Sequence, residues 1–111
     1  MWRDRGWLED IERSCERIVE KTQNRSREEF LDSEDLHDIV SLHIAVVGEA
    51  ARKLSDDTKE RLSEIPWHKV VAMRHRIAHD YGSLDFDEVW RAVTIHIPKL
   101  LRTVKEELGR P

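Results

Sequence analysis

Apolar residues recur three and four apart along most of this chain, with charged residues between them, and that spacing predicts helices almost throughout. Trp7, Leu8, Ile11, Cys15, Ile18, Val19 and Thr22 form the first stripe, on a helix from roughly Arg3 to Thr22. Ser26-Arg27-Glu28-Glu29 has the form of a capping box and predicts a short turn that buries Phe30 and Leu31. Ser33 is the N-cap expected for a second long helix reaching about Leu54. Its apolar arc is Leu36, Ile39, Val40, Val47, Ala50, Ala51 and Leu54. Ser55 caps a short helix through Leu62. Pro66 suits the first turn of the next helix, where its missing N–H costs nothing, and that helix runs to about Asp80. Gly82 then offers a C-terminal stop. Asp85-Phe86-Asp87-Glu88 gives the last helix an acidic start that complements its dipole. Its stripe continues through Val89, Trp90, Val93, Ile97, Leu100, Leu101, Val104 and Leu108, and Pro98 inside it predicts a kink near Thr94. No segment reads as strand. Short connections between long amphipathic helices predict an all-α fold, an antiparallel up-and-down bundle of four to five helices with a kinked C-terminal helix.

A chain of 111 residues is sized for one domain, 1–111, with a core that needs no disulfide or metal to hold it. The single Cys15 excludes a disulfide framework and a CxxC metal knuckle and fits a reducing compartment. The first residues lack an apolar signal core, and no apolar run approaches the ~20 residues needed to span a bilayer. The expectation is a soluble, cytoplasmic protein that uses no membrane. A net charge of −4, with 38% of residues charged, argues against indiscriminate coating of nucleic acid. Any such site must be local.

One local exception stands out. Between Ile65 and Ala78 there is no acidic residue, while Lys69, Arg74 and Arg76 stand with His68, His75 and, just beyond, His79. A basic island on an acid-rich chain points to an anionic ligand such as phosphate. At about 100° per residue, Val70, Met73, Ile77 and Tyr81 share one helix face, and Arg74 falls in the middle of it. A buried guanidinium requires a carboxylate such as Glu49, a subunit interface, or a cleft that admits an anion. A structural salt bridge, or a side chain that snorkels to water, satisfies the same requirement. His75 and His79 lie on the other side of the helix, with His68 close to His75. Arg74 and His79, five residues apart, diverge by about 140° on a straight helix. They act on one phosphate only if the helix ends near His79 or if two copies meet around a twofold axis.

Other residues are weaker candidates. His75 and His79, spaced i and i+4, could face one metal ion with His68 nearby, but no nearby carboxylate completes that set except Asp80, which points elsewhere, and HExxH is absent. A His-rich polar face is the simpler account. His43 reads as a hydrogen-bonded core histidine. Gly48 reads as a point of close helix approach, since a mid-helix glycine otherwise costs stability. Trp2, Trp7, Trp67 and Trp90 read as core or interface anchors, and nothing beside Cys15 suggests a reactive thiol. There is no Gly-rich phosphate loop and no GxSxG elbow.

Arg74-(x4)-His79-x-Tyr81 matches the RX4–6H motif of HEPN domains, and the fuller RX4HXY form resembles the HepT toxins, the DUF86 family. Val46-Val47-Gly48-Glu49-Ala50-Ala51, Ile65-Pro66-Trp67, Met73-Arg74 and Val89-Trp90 resemble that family's blocks in the same order, over essentially the whole chain after Trp7. The resemblance implies a small all-helical homodimer, or a higher oligomer, whose motif helices meet in a basic cleft. It implies an endoribonuclease toxin that needs no metal and no cofactor. Arg74 and His79 are then catalytic, with His75 and Arg76 supporting the cleft. The implied antitoxin is a minimal nucleotidyltransferase, MntA-like, that attaches AMP to the motif tyrosine, here Tyr81. His75 stands where relatives often carry Asn or Asp, and His43 where many carry Asn.

These residue types suit the chemistry. Cutting RNA without metal needs a base for the 2′-OH, an acid for the leaving 5′-oxygen and a cation for the phosphorane. His79 exchanges protons near neutral pH, and Arg74 grips phosphate through two N–H groups. The alternative is a non-catalytic subunit that holds nucleotide or RNA beside a nucleotidyltransferase. A metallo-hydrolase using His68, His75 and His79 is a third reading, separable by its loss of activity to chelators.

Overall fold

Side-chain caps set where most of the helices begin. The computed structural model describes residues 2–111, the side chain of Trp2 excepted, so the expectation of Trp2 as an anchor lies outside the described residues. Helix α1 spans Trp2–Thr22, α2 Arg27–Leu31, α3 Glu34–Lys53, α4 Asp56–Arg61, α5 Trp67–Asp80, α6 Phe86–Arg91 and α7 Ile97–Glu107. The described residues contain no strand. Ser26 Oγ accepts from Glu29 N–H at 3.1 Å while Glu29 Oε1 accepts from Ser26 N–H at 2.9 Å, a complete capping box. Ser33, Ser55 and Asp85 cap α3, α4 and α6, each accepting backbone N–H groups of the first turn through its side chain.

The long helices run antiparallel to the neighbours they pack on. Asp4, near the start of α1, hydrogen-bonds Ser55 and Thr58 just beyond the end of α3. Lys105, late in α7, pairs with Glu16 of α1 at 3.0 Å. Helix α3 packs against both α1 and α5, and α1 packs also against α7. The result is the antiparallel all-α bundle that the periodicity predicts, built on α1, α3, α5 and the α6–α7 unit, with α2 and α4 as short additions. Ile11, Cys15 and Ile18 of α1, Val40 and Val47 of α3, Val89 of α6 and Val104 of α7 are all but inaccessible. Each full burial of a valine- or isoleucine-sized side chain contributes about 1.5–3 kcal/mol before entropy is charged against it.

Three local features depart from the expected pattern. Gly82 does not end α5 in a left-handed conformation; Tyr81–Ser83 form a 3₁₀ turn, closed by Leu84 N–H donating to the Tyr81 carbonyl at 3.3 Å. The described glycine with positive φ is Gly109, where Arg110 N–H reaches the Lys105 carbonyl and Gly109 N–H the Glu106 carbonyl, a Schellman ending to α7. The kink expected near Thr94 is a π-helical turn over Ala92–His96 joining α6 to α7. Pro98 has no N–H to give the Thr94 carbonyl and its ring crowds that carbonyl. The local ladder widens instead, and Ile97 N–H donates five residues back to Ala92.

Candidate active site

Helix α5 carries the RX4HXY residues, and its register against α3 decides what each of them meets. That register is set by Gly48. A Cβ built at Gly48 would sit 2.3 Å from Arg74 Cβ and 3.2 Å from the Val70 carbonyl oxygen, so the glycine lets α5 approach α3 at this point. The stem of Arg74 lies in that contact while its head is 39% exposed. The arginine on the packed face is therefore not buried: it snorkels.

Its nearest carboxylate is Glu49. Arg74 Nε lies 3.6 Å from Glu49 Oε1, an ion pair rather than a hydrogen bond. Both Glu49 oxygens already accept from Arg52, at 3.1 and 2.9 Å, and Lys53 Nζ stands 3.7 Å away. The Arg52 hydrogen bonds, with the charges of Arg52, Arg74 and Lys53 behind them, hold the Glu49 carboxyl down to about 2. Glu49 thus stays ionised and neutralises a cationic cluster without occupying the Arg74 fork.

His75 and His79 are both exposed on the outer side of α5, with ring centroids 4.4 Å apart. His68, one turn pair earlier, is also exposed. Among the described residues no three His, Cys, Asp or Glu side chains are placed to hold a metal ion together. Arg76 turns the other way and forms a two-point ion pair with Glu88 of α6, at 2.6 and 3.2 Å. Two surface depressions, one along α7 around Pro98 and Leu101 and one around Pro66 and Trp67, touch neither Arg74 nor His79.

Tyr81, half exposed at the C-terminal end of α5, donates its hydroxyl to Asp38 of α3 and meets the edge of the Phe86 ring at 6.0 Å. Phe86 in turn stacks on His37, centroids 3.8 Å apart, and His37 Nε2 contacts the Phe30 carbonyl at 2.8 Å. Burial and the adjacent Asp38 carboxylate push the Tyr81 phenol above its ordinary value, and Ser41 opposes the shift. Asp38, Ser41, His37 and Glu88 carry no signal in the sequence. Each is an ordinary helix residue until the packing brings it to the motif.

The remaining candidates take structural places. His43 Nδ1 lies 3.2 Å from Ser14 Oγ of α1, and burial lowers its pKa. Trp67 is buried with its indole N–H donating to the Leu62 carbonyl at 3.1 Å. Trp7 lies under the Lys53 ammonium at 4.5 Å. Cys15 is fully buried, and burial pushes its thiol up to about 12. Two apolar side chains of α3, the helix α5 packs on, face solvent: Leu42 and Val46, 61% and 37% exposed. Among the described residues no helix is long and apolar enough to cross a membrane.

Comparison with known proteins bears on this arrangement. The family model described as ribonuclease HepT-like matches residues 11–107. A protein of Caldanaerobacter subterraneus subsp. tengcongensis named "Putative RNase TTE0752" is 30% identical over 106 residues, covering 96% of this chain and 95% of its own. "Probable ribonuclease HepT" of Thermococcus cleftensis is 32% identical over 96 residues, covering 86% of this chain and 87% of its own. No solved structure matches.

Proposed function

This chain belongs to the HepT-like ribonuclease family, and from that premise we propose that it is an endoribonuclease that cuts RNA without metal. In this reading it works in the cytoplasm as the toxin of a toxin–antitoxin pair, in a cleft shared by two copies of the chain. An MntA-like nucleotidyltransferase neutralises it by attaching AMP to Tyr81.

One observation carries this reading. Arg74 stands in an open ion pair at 3.6 Å whose carboxylate is already hydrogen-bonded to Arg52, on the same helix as an exposed histidine pair. An arginine so placed can exchange its carboxylate for a phosphate at little electrostatic cost. In the cleavage step a neutral histidine accepts the 2′-OH proton as that oxygen attacks the adjacent phosphorus. A protonated histidine gives a proton to the departing 5′-oxygen, and the arginine fork neutralises the phosphorane. The products are a 2′,3′-cyclic phosphate and a 5′-hydroxyl. His79 is the principal proton carrier. His75, with its ring beside that of His79, and Arg76, which ties α5 to α6 through Glu88, support the cleft.

The divergence of Arg74 and His79 around α5 calls for a second copy, so that the arginine of one protomer faces the histidine of its partner. Leu42 and Val46, apolar and exposed on α3 beside the motif helix, support pairing through this face. AMP on Tyr81 would add bulk and negative charge beside Arg74, closing the cleft to RNA.

The test is cleavage of single-stranded RNA by the purified protein in excess EDTA. Wild-type protein cuts under these conditions, and His79→Ala lowers the rate by about 100-fold or more. Retained cleavage in His79→Ala removes His79 from the mechanism. Loss of wild-type activity to EDTA, restored by a divalent ion, removes metal independence.

A further inference from the structure

The Tyr81 hydroxyl is already committed in the resting molecule, and the residue that holds it comes from another helix. Asp38 lies forty-three positions earlier, on the exposed side of α3, yet its carboxylate accepts the Tyr81 O–H. The edge contact with Phe86 fixes the ring from the other side. A phenol and a carboxylate therefore meet at one point on the α3–α5 seam. That is more than helix packing requires, since Phe in place of tyrosine would fill the same space with no polar group to satisfy.

We propose that Asp38 is the general base for nucleotide transfer to Tyr81. This rests on the reading of Tyr81 as the site of AMP addition. The phenolate is not populated at neutral pH, because burial and the Asp38 carboxylate both raise the Tyr81 pKa. The proton must then leave during attack, and it needs an acceptor already in contact with it. Asp38 is that acceptor. Tyr81 Oη attacks the α-phosphorus of ATP held by the nucleotidyltransferase. The Oη–H bond breaks with its proton passing to the Asp38 carboxylate, the bond from the α-phosphorus to the bridging oxygen breaks, and pyrophosphate leaves. A tyrosyl-AMP phosphodiester remains.

The same geometry gives the product a direction. The ester oxygen no longer donates to Asp38, and once Asp38 has released the proton to solvent the new phosphodiester anion faces its carboxylate and that of Glu34. Repulsion at that range drives the modified side chain off α3. The base that accepts the proton thus also expels the adenylated tyrosine.

The experiment compares wild-type, Asp38→Asn, Asp38→Glu and Tyr81→Phe proteins as acceptors for an MntA-like nucleotidyltransferase with ATP, followed by intact mass. Asp38 is exposed, so the asparagine variant keeps the fold, checked by its melting curve. Asp38→Asn is expected to lower kcat for AMP addition on the order of 100-fold with the acceptor KM unchanged, and Asp38→Glu to restore part of it. The chain has one tyrosine, so its ultraviolet ionisation reports Tyr81 alone, and Asp38→Asn is expected to lower that midpoint. Modification of Asp38→Asn at the wild-type kcat, a rise in KM alone, or an unmoved ionisation midpoint overturns the proposal. If wild-type protein gains no AMP, or Tyr81→Phe gains it equally, Tyr81 is not the acceptor and the modification reading itself falls.

Discussion

At the scale of single residues, the site is governed by what each charged group is left free to do. Arg74 and Arg76 are two positions apart and chemically identical, yet they have opposite standing. Arg76 is locked in a two-point ion pair with Glu88, which holds each partner's pKa away from its ordinary value in the charged direction. Arg74 faces a carboxylate already satisfied by Arg52. The distinction is one of available N–H donors, and it is why Arg74 is the residue proposed to bind the anion. Planar two-point contact is what a lysine cannot supply. Arg74→Lys keeps the charge and the packed stem, so it is expected to fold normally and to lose cleavage by on the order of 100-fold. Single-turnover kinetics on a defined RNA would check this, and a rate near wild type would mean that only charge matters there. Cys15, by contrast, is a core side chain held protonated by burial, and its chemistry is packing.

At the scale of elements, the close approach of α3 and α5 positions the motif. An alanine at Gly48 would gain about 1 kcal/mol of helix propensity. Against this, its Cβ meets Arg74 Cβ at 2.3 Å and the Val70 carbonyl at 3.2 Å. Neither is the end of a flexible side chain, so the helices must separate, which costs typically 1–3 kcal/mol or more. The clash outweighs the propensity. Gly48→Ala is therefore expected to lower stability by about 1–2 kcal/mol in urea titration and to lower cleavage through displacement of Arg74. Unchanged stability would show that α5 slides without loss. The π turn at Ala92–His96 is a second decision at this scale. Pro98 removes one ladder donor, and the widened turn lets α7 keep Leu100 and Val104 in the core beyond the break.

At the scale of the whole molecule, α3 presents an apolar side chain to solvent. Leu42 is 61% exposed and makes no claim on the monomer core, so charging it has little effect on the isolated fold. If the proposed dimer pairs through this face, Leu42→Asp is expected to give a folded monomer by size-exclusion chromatography with light scattering and to abolish cleavage, because the proposed composite cleft would be lost. A Leu42→Asp protein that remains a dimer would place the interface elsewhere. The acid-rich surface belongs to the same picture. A chain of net charge −4 repels RNA at most of its surface, and the proposed site lies in the stretch where cations are concentrated.

Helix limits, caps and apolar stripes were legible in the sequence because they depend on neighbours within a turn or two: Ser26 and Glu29 close their box locally, and Ile11, Cys15 and Ile18 share a face by spacing alone. The split of the motif into Arg74 and Tyr81 on one side and His75 and His79 on the other was legible for the same reason. Gly82 misled because a glycine permits a left-handed stop without requiring it, and a 3₁₀ turn satisfied the carbonyl instead. The Glu88 partner of Arg76, the Arg52 hold on Glu49 and the Asp38 acceptor for Tyr81 follow from which of several charged residues the packing brings within reach. By itself the sequence determined the helices, their buried faces and the family motif, all set by short-range periodicity. Only the tertiary structure decided which arginine is free and which carboxylate holds the tyrosine, because those contacts depend on the register between helices whose residues lie far apart along the chain.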